Sequence, residues 1–201
     1  MKKILFIFLL SSQVVVAQNK THKRLSYGFH FNLTRSNVSL AKATTNNFVY
    51  VNDSFGFGLG IFTEYRISNM LSVNLKSDLN FGNTYLYFGS DDDIYDIMQN
   101  SIEIKSHFNI QTSTHKNSPY LIIGPNIKLP LYSKEEKKQS TFFSNSASAM
   151  IDLGFGINFS KKSVHILPEF VYSFGINNIA IHPFISQLTY HQLALVINFR
   201  N

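Results

Sequence analysis

The sequence predicts an all-β fold, a transmembrane antiparallel up-and-down β-barrel of about eight strands, from three observations. Large apolar residues alternate with small or polar ones in eight separate segments. Every charged side chain within those segments falls on the polar face. Long and short connections alternate along the chain.

Composition frames this reading. The 201 residues suit one domain. There are 19 Phe and 10 Tyr, while charged residues make up 15%, against roughly 25% in ordinary globular domains. Cysteine is absent, which removes disulfides, thiolate metal ligation and thiol catalysis. Residues 1–17 read as a secretory signal peptide. Lys2 and Lys3 precede an apolar run from Ile4 to Leu10, and Val15-Val16-Ala17 offers a small-residue cleavage site before Gln18. That run falls short of the ~20 apolar residues of a spanning helix. The expected mature domain, 18–201, keeps 16 basic and 12 acidic residues, for a net charge of +4. This is too mild for a nucleic-acid partner.

The segments follow in order. Leu25, Tyr27, Phe29, Phe31 and Leu33 share one face, opposite Ser26, Gly28, His30, Asn32 and Thr34. Phe55, Phe57, Leu59, Ile61 and Tyr65 oppose Gly56, Gly58, Gly60, Glu64 and Arg66, with Phe62 as one large apolar residue on the second face. Leu71, Val73, Leu75, Leu79 and Phe81 oppose Ser72, Asn74, Lys76, Asp78 and Asn80. Ile102, Ile104, Phe108 and Ile110 oppose Glu103, Lys105, His107 and Asn109. Leu121, Ile123, Ile127 and Leu129 oppose Tyr120, Gly124, Asn126 and Lys128. Ile151, Leu153, Phe155, Ile157 and Phe159 oppose Ser148, Asp152, Gly154, Gly156 and Asn158. Val164, Ile166, Phe170, Tyr172 and Phe174 oppose His165, Glu169 and Ser173. Leu193, Leu195, Ile197 and Phe199 oppose Tyr190, Gln192, Asn198 and Arg200. A period of two is the strand signature, and about 9–11 residues let a tilted strand cross a bilayer.

The stretches 36–54, 82–100, 132–147 and 176–189 read as long loops, 67–70 and 160–163 as tight turns, and 111–119 as intermediate. Long loops at one end and short turns at the other are the layout of outer-membrane barrels. An even strand count puts both termini on the short-turn, periplasmic side. A soluble sandwich or lipocalin-like barrel also alternates, but it hides its apolar face. Here the apolar face is bulky and aromatic, and the opposite face is rich in Gly, Ser and Asn, as suits a narrow lumen.

Ten charged residues share the lumenal face: Glu64, Arg66, Lys76, Asp78, Glu103, Lys105, Lys128, Asp152, Glu169 and Arg200. Five are acids and five are bases, and in a narrow lumen each needs a partner. Across the 67–70 turn, Glu64 is expected to reach Lys76 diagonally. The 160–163 turn is expected to bring Asp152 near Glu169, with one of them protonated or sharing a base such as Lys105 or Lys128 across the lumen. The reading is a plugged polar core rather than an ion path, because eight strands leave a lumen that side chains fill.

No catalytic, metal or cofactor motif stands out. GxSxG, HExxH and GxxxxGK[ST] are absent. Gly56-Phe-Gly58-Leu-Gly60 lies inside a strand and reads as a thin lumenal wall. Asp91, Asp92, Asp93 and Asp96 read as a solvated loop cluster, and Lys134 to Lys138 as a wet loop able to meet lipopolysaccharide headgroups. Ser186 with His191 is the one hint of a lipid enzyme.

The stretches Ser101-Ile-Glu-Ile-Lys-Ser-His-Phe-Asn-Ile110 and Ser118-Pro-Tyr-Leu-Ile-Ile-Gly-Pro-Asn126 resemble the strand 4–strand 5 hairpin of PorT-like outer-membrane β-barrel proteins. Asp152-Leu-Gly-Phe-Gly-Ile-Asn158 and Pro168-Glu-Phe-Val-Tyr-Ser-Phe-Gly-Ile-Asn-Asn178 resemble that family's later strands. The likeness spans roughly residues 25–201. Glu103 matches the pattern, while Lys105 replaces a usual proline and His107 a usual leucine. The resemblance implies a non-enzymatic outer-membrane barrel and, for PorT itself, a part in type IX protein secretion. Expected partners are outer-membrane lipid, lipopolysaccharide and other secretion-machine proteins met through the long loops or periplasmic turns. A generic structural barrel or small pore is the alternative.

Overall fold

A computed structural model describes residues 24–43, 49–82, 84–88, 93–98, 100–113, 117–131, 147–161, 164–180 and 185–201. The expected signal peptide lies outside them. Twelve strands occur in these residues. They are β1 (Leu25–Ala43), β2 (Val49–Asn52), β3 (Ser54–Arg66), β4 (Leu71–Gly82), β5 (Thr84–Phe88) and β6 (Asp93–Ile97), then β7 (Asn100–Gln111), β8 (Pro119–Leu131), β9 (Ser148–Ile157), β10 (Phe159–Lys161), β11 (Val164–Gly175) and β12 (Ile185–Arg200). β10 prolongs β9 beyond Asn158, so the large sheet has eight staves.

Those staves run in the order β11-β12-β1-β3-β4-β7-β8-β9, and β9 pairs back onto β11, which closes the barrel. All pairings are antiparallel, and sequence neighbours meet except at the β1–β12 seam. The ladder gives the stagger. From Gly175 it passes through Met150, Asn126, Lys105, Lys76, Phe62, Gly28 and Arg200, and returns to β11 at His165, ten residues lower. A shear of ten on eight strands requires strong tilt, about 35–45° in closed barrels.

The two faces are inverted relative to a soluble protein. The outward face exposes Tyr27, Phe29, Phe31 and Leu33 on β1, Phe57 and Leu59 on β3, Leu153 and Phe155 on β9, and Leu195 and Ile197 on β12. The buried face carries His30, Asn74, Lys76, Asp78, Glu103, Lys105, Asp152 and Glu169. A continuous apolar exterior around a charged interior is stable only where lipid replaces water outside, and closure satisfies every backbone edge there.

Local chemistry sets the ends. In the 67–70 turn, Ser68 Oγ accepts from Met70 N (3.2 Å) and Leu71 N (3.1 Å), a hydroxyl-stabilised reversal. Thr112 donates from both N (3.1 Å) and Oγ1 (3.0 Å) to Pro119 O, which closes the β7–β8 connection.

At the opposite end the long loops differ from expectation. β1 and β12 continue pairing upward to Ala43↔Ile185, with irregularities after Leu40. Most of the expected 36–54 loop, and the end of 176–189, is therefore strand. The 82–100 stretch contains the β5–β6 hairpin, which joins β2 in a second three-stranded sheet. The apolar signal stops earlier than the strands because Arg35, Asn37 and Ser39 on the outer face are polar. Arg35 is thus a strand charge on the outward face, paired with Asp53 at 2.5 Å. The 132–146 segment, with Lys134 to Lys138, lies outside the described residues, as do Asp91, Asp92 and the side chains of Asp93 and Asp96.

Candidate functional site in the barrel lumen

Nine of the ten expected lumenal charges are buried in the barrel interior. The tenth, Arg66, shares their parity but is exposed at the lower end of β3, outside the network. It is the last residue of β3, still paired with Ser72, and its side chain faces out of the turn end rather than into the lumen.

The buried nine assemble from the turn end upward. At the base, Arg200 Nη1 meets Glu64 Oε2 at 2.5 Å. They sit on β12 and β3, two staves apart, and reach each other past Gly28 and Ser26 of β1. Higher up, Lys76 Nζ meets Glu169 Oε2 at 2.5 Å and donates to Asn198 Oδ1 at 2.9 Å. β4 and β11 are opposite staves, so this pair spans the lumen as a strut. Tyr120 donates to the other Glu169 oxygen at 2.9 Å. His107 Nε2 meets Asp152 Oδ2 at 2.8 Å, and Asn126 Nδ2 reaches both Asp152 oxygens at 3.2 Å.

The centre is held by Lys105. Its Nζ lies 2.5 Å from Asp78 Oδ2 and 2.7 Å from Glu103 Oε2. Asp78 also meets His30 Nε2 at 2.5 Å and Asn32 Nδ2 at 3.3 Å. Glu103 passes the chain on to Lys128 at 2.9 Å. Lys128 then donates to Tyr190 Oη (2.9 Å) and Gln192 Oε1 (2.7 Å), and Tyr190 donates to Ser36 Oγ at 2.6 Å.

Two expected pairings are therefore corrected. Lys76 stands diagonal to Glu64 as expected, two residues from its ladder partner Asn74, but the two do not pair, because Glu64 is taken by Arg200 and Lys76 turns across the lumen to Glu169. Asp152 and Glu169 are not neighbours across the β9–β11 ladder. Asp152 stands opposite Ser173, Glu169 stands opposite Gly156, and each has its own partners. The base that serves Glu169 across the lumen is Lys76, not Lys105 or Lys128.

The glycines explain how side chains on non-adjacent staves meet. His30, Gly60 and Asp78 occupy one ladder row, and so do Asn32, Gly58 and Asn80. A Cβ on Gly60 would lie 2.5 Å from both the His30 ring and Asp78 Oδ1, and one on Gly58 would meet Asn32 Oδ1 at 2.6 Å. The thin wall of β3 is thus a trough that side chains from β1 and β4 cross. Gly60→Ala is expected to push His30 off Asp78 and to cost about 1–3 kcal/mol, read as a lower urea midpoint for loss of the heat-modifiable gel band. A midpoint equal to the parent would show that the bridge does not need the trough. Phe62, the apolar exception, packs 6.1 Å from the His30 ring and under Lys76 Nζ at 5.9 Å.

Sequence reasoning left His30, Tyr120 and Tyr190 without partners. Their inward parity was the available signal. The histidine of the enzyme hint, His191, lies 6.3 Å from the Tyr172 ring, and the side chain of Ser186 is outside the described residues. Among the described residues no group of His, Asp and Glu could hold a metal ion.

A closed eight-stave barrel with an apolar exterior and a paired, charged interior defines an integral outer-membrane β-barrel. Residues 16–180 match the family model for the outer membrane protein beta-barrel domain, and the chain belongs to that family. Among solved structures it is similar to Neisserial surface protein A, with 14% identity over 87% of this chain and 95% of the other, and a TM-score of 0.48. It is similar to Ail of Yersinia pestis, with 12% identity, 88% and 98% coverage and a TM-score of 0.45. It is also similar to OprG of Pseudomonas aeruginosa, with 13% identity, 88% and 92% coverage and a TM-score of 0.43. No curated protein matches the sequence.

Proposed function

We propose that this chain is a non-enzymatic outer-membrane barrel with a closed lumen, working through its rims as an accessory component of protein secretion of the type IX kind. One observation carries the first part. The lumen is filled by a network running from Glu64–Arg200 at the base to Lys128–Tyr190 near the mouth, each charge held by a partner. A lumen so filled leaves no open axial path. Activity then falls to the loop end, with its second sheet, and to the short-turn end, which this reading places in the periplasm. Lipid and lipopolysaccharide surround the apolar belt, and secretion-machine proteins would dock on the rims. The secretion role rests on the PorT-like resemblance of residues 101–126 and 152–178.

Deletion of the gene is expected to reduce cargo protein in the medium and retain it in the cell. Unchanged cargo release would sink the secretion role. Purified barrel in planar bilayers is expected to give no steady conductance. Sustained single-channel steps would replace this reading with that of a small pore.

A further inference from the structure

The loop-side mouth of the barrel is shut by side chains unlike the rest of the lumen. Val38, Ile97, Met98, Met150, Ile179, Leu188 and Tyr190 form one apolar cluster, none more than 3% exposed. The barrel wall supplies four of them. Ile97 and Met98 come from the end of the β5–β6 hairpin, and Ile179 from the segment after β11. Asn178 holds that segment in place, its Oδ1 accepting from Ala180 N (2.9 Å) and Leu188 N (2.8 Å). Ile179 N donates to Leu188 O at 2.8 Å. Met98 adopts φ 55, the left-handed region that residues with a Cβ avoid. The chain accepts that conformation where Met98 is buried in the mouth.

Below this cluster the lumen carries polar side chains from top to base beside one apolar wall patch of Tyr120, Ile122, Leu167 and Val171, and many of its polar groups lack a protein partner. Gln192 Nε2 and both amide atoms of Asn80 are unpartnered near the top, His107 Nδ1 in the middle, and Asn74 Oδ1 and Asn158 Oδ1 toward the base. All five residues are more than nine-tenths buried. An unsatisfied buried polar group is costly, and internal water is the usual remedy where several converge. The ion pairs exclude large solutes but leave a polar surface for a thread of water. The cluster at the mouth offers none, because its single hydroxyl, on Tyr190, points down to Ser36, whereas the lower apolar patch presents the Tyr120 hydroxyl to Glu169.

We propose that the lumen is a hydrated proton path held closed at one place, the apolar seal of Ile97, Met98 and Ile179 at the loop-side mouth. The seal acts as a dewetted constriction. Two of its three contributors come from the second sheet's hairpin and one from the last connection, so a ligand or partner that moves either segment opens the path. This rests on the closed-lumen reading and extends it: the network closes the lumen to ions and larger solutes, and the seal closes it to protons.

The test uses the full barrel refolded into liposomes that enclose a pH-sensitive dye, with folding checked by heat-modifiability. The parent is expected to admit protons no faster than empty vesicles. Met98→Gly suits the left-handed backbone and removes the side chain, and Ile179→Ser wets the mouth from the other segment. Each is expected to raise proton entry by about tenfold or more while potassium conductance in planar bilayers stays absent. Folded variants as tight as the parent would overturn the seal. Potassium conductance in the variants would overturn proton selectivity. A parent that leaks at the variants' rate would instead overturn the closed-lumen reading itself, so the two failures are distinguishable.

Discussion

Lys105→Met is expected to lower the stability of the barrel by about 3–5 kcal/mol, the usual cost of removing one partner from a buried ionic group. Lys105 Nζ lies 2.5 Å from Asp78 and 2.7 Å from Glu103. Methionine keeps the apolar stem and all but one atom of its length, so the loss is electrostatic in the main rather than a cavity. Asp78 would keep His30 and Asn32, and Glu103 would keep Lys128, but two carboxylates on neighbouring staves would lose the cation between them. Urea titration in bilayers, followed by the gel shift between folded and boiled forms, reads the change. Adding Glu103→Gln is expected to restore part of the loss by removing one uncompensated charge. A parent-like midpoint for Lys105→Met alone would show that the lumen carries its charges independently.

Leu153→Arg is expected to cost about 2–4 kcal/mol in a bilayer, the penalty for a cation on the lipid face near midplane. Leu153 lies in the apolar run of β9, exposed and facing outward. Its chain neighbour Asp152 is fully buried on the lumenal side and bonded to His107 and Asn126. One residue along a strand separates lipid from the ion network, and the substitution probes that alternation. In a soluble barrel an exposed Leu→Arg change is nearly neutral. The same midpoint as the parent in lipid would contradict the membrane-facing assignment of this surface.

Most of the barrel was legible in the sequence because lipid outside and polar groups inside write a strict period of two. Phe29 against His30 and Leu153 against Asp152 each fix the face of a whole strand. The signal fails where the physics changes. Above Leu33 the outer face of β1 turns polar, so Arg35, Asn37 and Ser39 carry no apolar rhythm, although the backbone pairing continues to Ala43. The lumenal residues could be named but not matched. Ladder neighbours suggested Glu64–Lys76, whereas a closed barrel lets a long side chain cross to the opposite stave, as Lys76 does to Glu169. The glycine run on β3 read correctly as a thin wall. What it serves, the meeting of His30 with Asp78 across it, needed three strands in register.

The longest seam of the barrel joins β1 to β12, from Gly28↔Arg200 to Ala43↔Ile185. Its partners are the N-terminal and C-terminal staves of the barrel, so β12 emerges after every stave it must close. Hairpins such as β3–β4 can form locally, but the seam cannot zip until β12 has crossed to the assembly site. Until then two unsatisfied strand edges face one another, which in lipid is untenable. Barrel maturation is therefore all-or-none with respect to delivery of the final strand, and a chain arrested before Ile185 has nothing with which to shut its first edge.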